Sequence, residues 1–181
     1  MWAEPPVGLE NVSAYFVQNF LVSPERTNSW GQHYPVILIP PIERSVTDCD
    51  DYKVALPREN RLLVNFSGCS NPFVESQKFE KYVATLSRFI IDEADGRFDE
   101  IQFCCSQNLV DFLRRYLRAD EHIRIDQLKH AEFLRQLRTS GFLLTAPGIT
   151  TTLEAVAAKI PFAFPLPHND SQALVSEIYQ Q

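Results

Sequence analysis

Between Phe142 and Gln172 the chain reads FLLTAPGITTTLEAVAAKIPFAFPLPHNDSQ, and its polar residues are spaced to hold an anion and neighbouring hydroxyls rather than to build a nucleophile. The apolar run Phe142 to Leu144 breaks at Pro147 and Gly148, and Thr150, Thr151 and Thr152 precede the helix formers Leu153, Glu154, Ala155, Val156, Ala157 and Ala158. A strand that turns into a helix in this way aims backbone N–H groups and the positive end of a helix dipole at one point, where a phosphate can sit. Gly148 leaves room for close approach, Ile149 and the threonines supply N–H groups, and the threonine hydroxyls add further donors for diphosphate oxygens. The same threonines are also ordinary helix caps.

Glu154 lies about one turn into this helix, where a carboxylate can accept hydrogen bonds from vicinal hydroxyls or simply complement the helix dipole. His168, Asn169, Asp170, Ser171 and Gln172 follow the next apolar run, Phe162 to Leu166. Such short polar side chains suit the hydroxyls of a sugar, or a helix cap with Asp170 as the capping residue. His168, beside a turn, reads as structural.

Elements that would position these groups begin near Arg61. A strand is predicted over Leu62 to Phe66, then a turn at Ser67 to Pro72 and a helix from about Val74 to Glu93 with Phe79, Tyr82, Val83, Leu86, Phe89 and Ile90 on its inner face. The pattern continues with a strand at Glu100 to Cys104, a helix at Asn108 to Leu117, a strand at His122 to Ile125, a helix at Ala131 to Arg138 and a strand at Phe142 to Thr145. The cradle helix, a strand at Phe162 to Leu166 and a last helix from about Ser171 to Gln180 complete it. Alternating strands and helices predict an α/β domain over 61–181 with a parallel sheet covered on both faces and ligands beyond the carboxyl ends of the strands. Residues 1–60 are proline-rich and irregular, with short strand candidates at Ala14 to Phe20 and Val36 to Ile39, and read as an extension and linker.

The segment Phe142 to Gln172 resembles the donor-binding motif of nucleotide-sugar glycosyltransferases with the two-domain GT-B fold, above all the branch that adds N-acetylglucosamine to the lipid-linked murein precursor. The resemblance implies a Rossmann-like doubly wound parallel sheet forming one GT-B half, with the irregular N-terminal extension as the possible end of an acceptor domain. It implies that Gly148, Ile149, Thr150, Thr151 and Thr152 hold the diphosphate, that Glu154 holds the ribose, and that Asp170 and Gln172 contact the donor hexose. The turn containing Ser67, Gly68 and Ser70 corresponds in place to the family's first glycine-rich loop, and Leu128 to His130 to the segment whose backbone recognises uracil. The chain departs from the family pattern at Ala146 and Pro147, where a basic residue or histidine often precedes the glycine, and at Ala173 and Ser176.

Composition excludes several classes. A net charge of −6 over 181 residues argues against a general nucleic-acid binder, and Arg114, Arg115, Arg118, Lys129, Arg135 and Arg138 fall at helical spacing suited to solvated faces. No apolar run approaches the roughly 20 residues of a transmembrane helix, and no secretory signal is visible, so the expected location is cytoplasmic. Cys49, Cys69, Cys104 and Cys105 show neither metal-ligand nor disulfide spacing and read as reduced thiols, the last two as small buried hydrophobes. Patterns for a nucleophilic-serine elbow, a zinc helix or an NTPase phosphate loop are absent from the sequence.

The expectation is therefore the donor-binding portion of a glycosyltransferase that uses a nucleotide-diphosphate sugar, UDP-linked by the resemblance, without cofactor or catalytic metal. The general base that deprotonates the acceptor is expected outside this chain, in a missing acceptor-binding domain or a separate subunit. Alternatives are a sugar-nucleotide hydrolase or epimerase of the same fold, and a non-catalytic nucleotide-sugar-binding or interaction module.

Overall fold

Successive residues of an extended chain face opposite sides of a sheet, and Leu62, Leu63 and Val64 are apolar on both, so this strand requires cover on both faces. A computed structural model of the chain describes residues 15–18, 36–39, 56–66, 76–118 and 120–179. The chain divides into two units, Met1–Ser45 and Val46–Gln181. In the first, β1 (Tyr15–Gln18) and β2 (Val36–Ile39) pair in parallel, Tyr15 opposite Val36.

In the second unit the described elements are β3 (Glu59–Asn65), α1 (Ser76–Ala94), β4 (Glu100–Cys104), α2 (Gln107–Tyr116), β5 (Ile123–Asp126), α3 (His130–Thr139), β6 (Ser140–Thr145), α4 (Ile149–Ala157), β7 (Phe162–Ala163) and α5 (Asp170–Tyr179). Five of these strands form one wholly parallel sheet in the order β5-β4-β3-β6-β7. Chain order runs outward from β3 through β4 to β5, then jumps back across β3 to β6. This is an α/β, Rossmann-like doubly wound sheet, and its switch point lies between the carboxyl ends of β3 and β6.

Each face has its own core. Leu62, Val64, Phe66, Ile101 and Phe103 pack with Val83 and Ile90 of α1 and with Leu109, Val110 and Leu113 of α2. Leu63, Cys104 and Leu143 point the other way, onto Phe133 and Leu137 of α3 and Ala155 of α4. Burying each such aliphatic side chain contributes about 1.5–3 kcal/mol. At the start of β6, a Cβ on Gly141 would lie 3.0 Å from the Glu59 carbonyl oxygen, so glycine lets β6 approach β3 where their register shifts.

Three sequence expectations need correction. Phe89 is 59% exposed, because the buried stripe of α1 runs through Val83, Ser87, Ile90 and Ala94 and leaves Phe89 off its axis. The strand expected over Phe162 to Leu166 stops at Ala163: Pro165 has no N–H to give a ladder, and Leu166 is 80% exposed. The cradle helix begins at Ile149 with Gly148 as its N-cap, so the threonines lie inside its first turn instead of capping it.

That helix closes at Lys159, two residues before Pro161. Lys159 takes the left-handed conformation (φ 53°), and the N–H groups of Lys159 and Ile160 donate to the carbonyls of Val156 and Ala155 at 3.0 and 3.1 Å. This is the paired closure of a Schellman motif. Arg58 adds side-chain donation to the Lys159 carbonyl.

Candidate functional site

At the switch point the β3–β6 ladder extends one step past the strands, the Ala146 N–H donating to the Asn65 carbonyl at 3.2 Å. Asn65, buried at the end of β3, donates through Nδ2 to Thr145 Oγ1 and to Thr151 Oγ1, each at 3.3 Å. One side chain thus ties the end of β3, the end of β6 and the first turn of α4 together. The sequence reading passed over Asn65, whose signal was an amide directly after the apolar run Leu62 to Val64.

Helix α4 starts at Gly148 with no side-chain cap, in extended backbone (φ −142°). A Cβ there would meet only the Ala146 carbonyl oxygen at 3.7 Å, ordinary contact, so packing within the described chain does not demand glycine. The N–H groups of Ile149, Thr150 and Thr151 precede the first intrahelical bond, Thr152 N–H to Gly148 carbonyl at 3.1 Å. The three threonines divide their roles by position. Thr150 is exposed, Thr151 meets Asn65, and Thr152 is fully buried with its hydroxyl donating back to the Gly148 carbonyl at 2.6 Å. The Thr152 side chain is therefore spent on the helix itself.

Glu154 is 6% exposed, a costly place for a carboxylate without a partner. Its Oε1 lies 2.7 Å from Nε2 of His130, the first residue of α3. Both helices begin at the carboxyl edge of the sheet, so this pair lies across that edge on the α3–α4 face. Facing a carboxylate, which only accepts, Nε2 carries the hydrogen.

The loop after β7 returns over the carboxyl edge to α1. His168 packs on Phe79 and Tyr82, with ring centroids 5.7 and 5.5 Å away, and the Tyr82 hydroxyl donates to the Leu166 carbonyl at 2.5 Å. The capping residue of α5 is Asn169 and not Asp170: Asn169 Oδ1 accepts the Gln172 N–H at 3.0 Å. Gln172 answers in the reverse direction, its Oε1 accepting from the His168 N–H at 3.2 Å and lying 2.8 Å from His168 Nδ1. This reciprocal cap engages the carbonyl end of Gln172, while Asp170 is exposed at the start of α5. Ser67, Gly68 and Ser70 lie outside the described residues.

Elsewhere on this edge, Asp126 at the end of β5 is met by Arg114 at 3.3 Å. Burial, followed by the Asp126 charge, pushes the Cys105 thiol up to about 12. Cys104 is raised further, by burial first and then by its neighbours Cys105 and Asp126. Both thiols are free and stay protonated, inert members of the core. Among the described residues no three His, Cys, Asp or Glu side chains converge as a metal-ligand set, and no helix is long and apolar enough to cross a membrane.

Solved structures similar to the chain include the heptosyltransferase WaaC from E. coli with ADP-2-deoxy-2-fluoro heptose, at 12% identity and a TM-score of 0.49 over 83% of this chain. They also include MnaA from S. aureus with UDP (14% identity, TM-score 0.49, 86% of this chain) and the glycosyltransferase SnogD from Streptomyces nogalater (20%, 0.43, 79%). The chain spans half or less of each, 48% of WaaC, 47% of MnaA and 34% of SnogD. No family model and no curated relative matches. The doubly wound architecture is defined by this chain's own strand order.

Proposed function

We propose that the Val46–Gln181 unit binds the nucleoside diphosphate of a sugar donor, UDP-linked by the resemblance of Phe142 to Gln172, and acts as the donor half of a glycosyltransferase. The observation that carries this reading is Glu154, a buried carboxylate at the carboxyl edge, one turn beyond a helix start with uncapped N–H groups. The N–H groups of Ile149, Thr150 and Thr151, with the Thr151 hydroxyl, take the diphosphate; the helix dipole offsets charge that builds on the leaving group. Glu154 accepts the ribose hydroxyls, and Asp170 lies toward the hexose. The acceptor, and the base that takes its proton, come from a second domain or subunit.

A narrower reading has one observation in its favour. The Gln172 carbonyl is occupied by His168, so a nucleotide-binding module to which the sugar contributes little also fits. Calorimetric titration with UDP, other nucleoside diphosphates and UDP-N-acetylglucosamine separates these. Donor binding predicts saturable uptake of UDP that weakens about tenfold or more in Glu154→Ala and less in Thr151→Ala, as loss of charged and neutral hydrogen bonds requires. Equal affinity for UDP and the sugar nucleotide would favour the narrower reading, and no uptake of any nucleotide would end both.

A further inference from the structure

Glu154 is read above as the group that accepts ribose hydroxyls, and the following rests on that reading. A carboxylate in that role needs more than burial: one oxygen must be held and the other presented. His130 meets this requirement from a different helix, 24 residues away in sequence, with Nε2 at 2.7 Å from Oε1. The exposures differ in an informative way, 7% for the Glu154 side chain and 41% for His130, so the imidazole sits at the rim and the carboxylate behind it. Among the described residues, His130 is the side chain that bonds the Glu154 carboxylate. With Oε1 occupied, Oε2 is the oxygen left for a ligand.

We propose that His130 is a positioning residue that makes the site selective for ribonucleotides. It anchors Oε1 so that Oε2 accepts from the ribose 2′-hydroxyl. Without the imidazole, the buried carboxylate loses its fixed donor and turns toward another, and the vicinal diol loses its acceptor. The diphosphate contacts at the start of α4 do not pass through His130, so its loss removes discrimination before it removes binding.

The test compares UDP with 2′-deoxy-UDP by calorimetry on wild type, His130→Ala and His130→Gln. Glutamine places an N–H donor near the position of Nε2. Wild type should prefer UDP by about tenfold, the worth of a hydrogen bond to a charged group. His130→Ala should bind both nucleotides with a ratio near one, and His130→Gln should regain most of the preference. Because each ratio is taken within one variant, a uniform loss of folded protein cancels. A preference that survives in His130→Ala, or that is absent from wild type while UDP still binds, overturns the role of His130 and leaves the donor site standing. Failure of wild type to bind either nucleotide overturns the donor site, and this role with it.

Discussion

The two edges of the sheet are built from different chemistry. At the amino edge Arg61, nearly buried, contacts Glu59 and Gln136, and its Nε lies 2.6 Å from Glu100 Oε1 in an ion pair without hydrogen-bond alignment. Glu100 Oε2 receives Arg124 at 2.9 Å, so two cations and two carboxylates balance inside the chain. The carboxyl edge has instead an amide bridging two hydroxyls, an uncapped helix start and one buried carboxylate on an imidazole. The network balances its own charges and joins β3 to β4 and β5. The carboxyl edge groups keep hydrogen-bonding capacity for something outside the chain, which is where doubly wound sheets place their ligands.

The sharpest way to break this contrast is Arg61→Ala. Removing the cation leaves Glu59 and Glu100 with only Arg124 nearby, and breaking a buried ion pair costs about 3–5 kcal/mol when both partners are fully enclosed. Glu100 is 19% exposed on its side chain and retains Arg124, so about 2 kcal/mol is expected here, a fall of several degrees in Tm. Nucleotide affinity in the folded fraction should not change. Glu154→Ala should show the opposite pattern, with loss of affinity and a smaller loss of stability. If Arg61→Ala weakened nucleotide binding as much as Glu154→Ala does, the division between the edges would be wrong.

The carboxyl edge was less legible in sequence than the sheet that carries it. Strand β4 was predicted at its observed bounds, because Ile101, Phe103 and Cys104 give an apolar signal interrupted only by Gln102. Strand β7 was overextended, since a run of large apolar residues conceals how Pro165 ends the ladder. The Thr152 hydroxyl returns to the Gly148 carbonyl, and no local pattern tells a threonine that bonds its own helix from one that faces a ligand. The Asn65–Thr151 and His130–Glu154 contacts span 86 and 24 residues and exist only once β3, β6 and the two helices are packed. Segment patterns predict elements; the pairs that form the site come from topology.

The thiols at the end of β4 sharpen the contrast through pH. Cys105 is raised from 9.0 to about 12 by burial and by Asp126, so in the folded chain it keeps its proton while the unfolded chain gives it up. The stabilisation is fully present below pH 9 and is lost as pH rises from there toward 12, because the unfolded state binds fewer protons over that window. Chemical denaturation of wild type and Cys105→Ala between pH 8 and about 10.5 checks this, and the wild-type midpoint should fall more steeply. Parallel slopes would mean that the thiol is solvated and that this part of the edge is open.

The smallest expected effect returns to the amino edge, where α4 ends. Lys159 holds a left-handed conformation that costs a non-glycine residue about 1 kcal/mol, and its N–H and carbonyl are both engaged, by Val156 and by Arg58. Lys159→Gly removes the Cβ penalty and adds unfolded-state entropy, two opposing terms whose difference should favour the variant by about 0.5 kcal/mol. Differential scanning calorimetry should therefore show a Tm higher by a degree or two, with UDP affinity unchanged. A rise in Tm accompanied by weaker UDP binding would show that the closing turn of α4 is coupled to its first turn, and that the helix transmits change from the structural edge to the ligand edge.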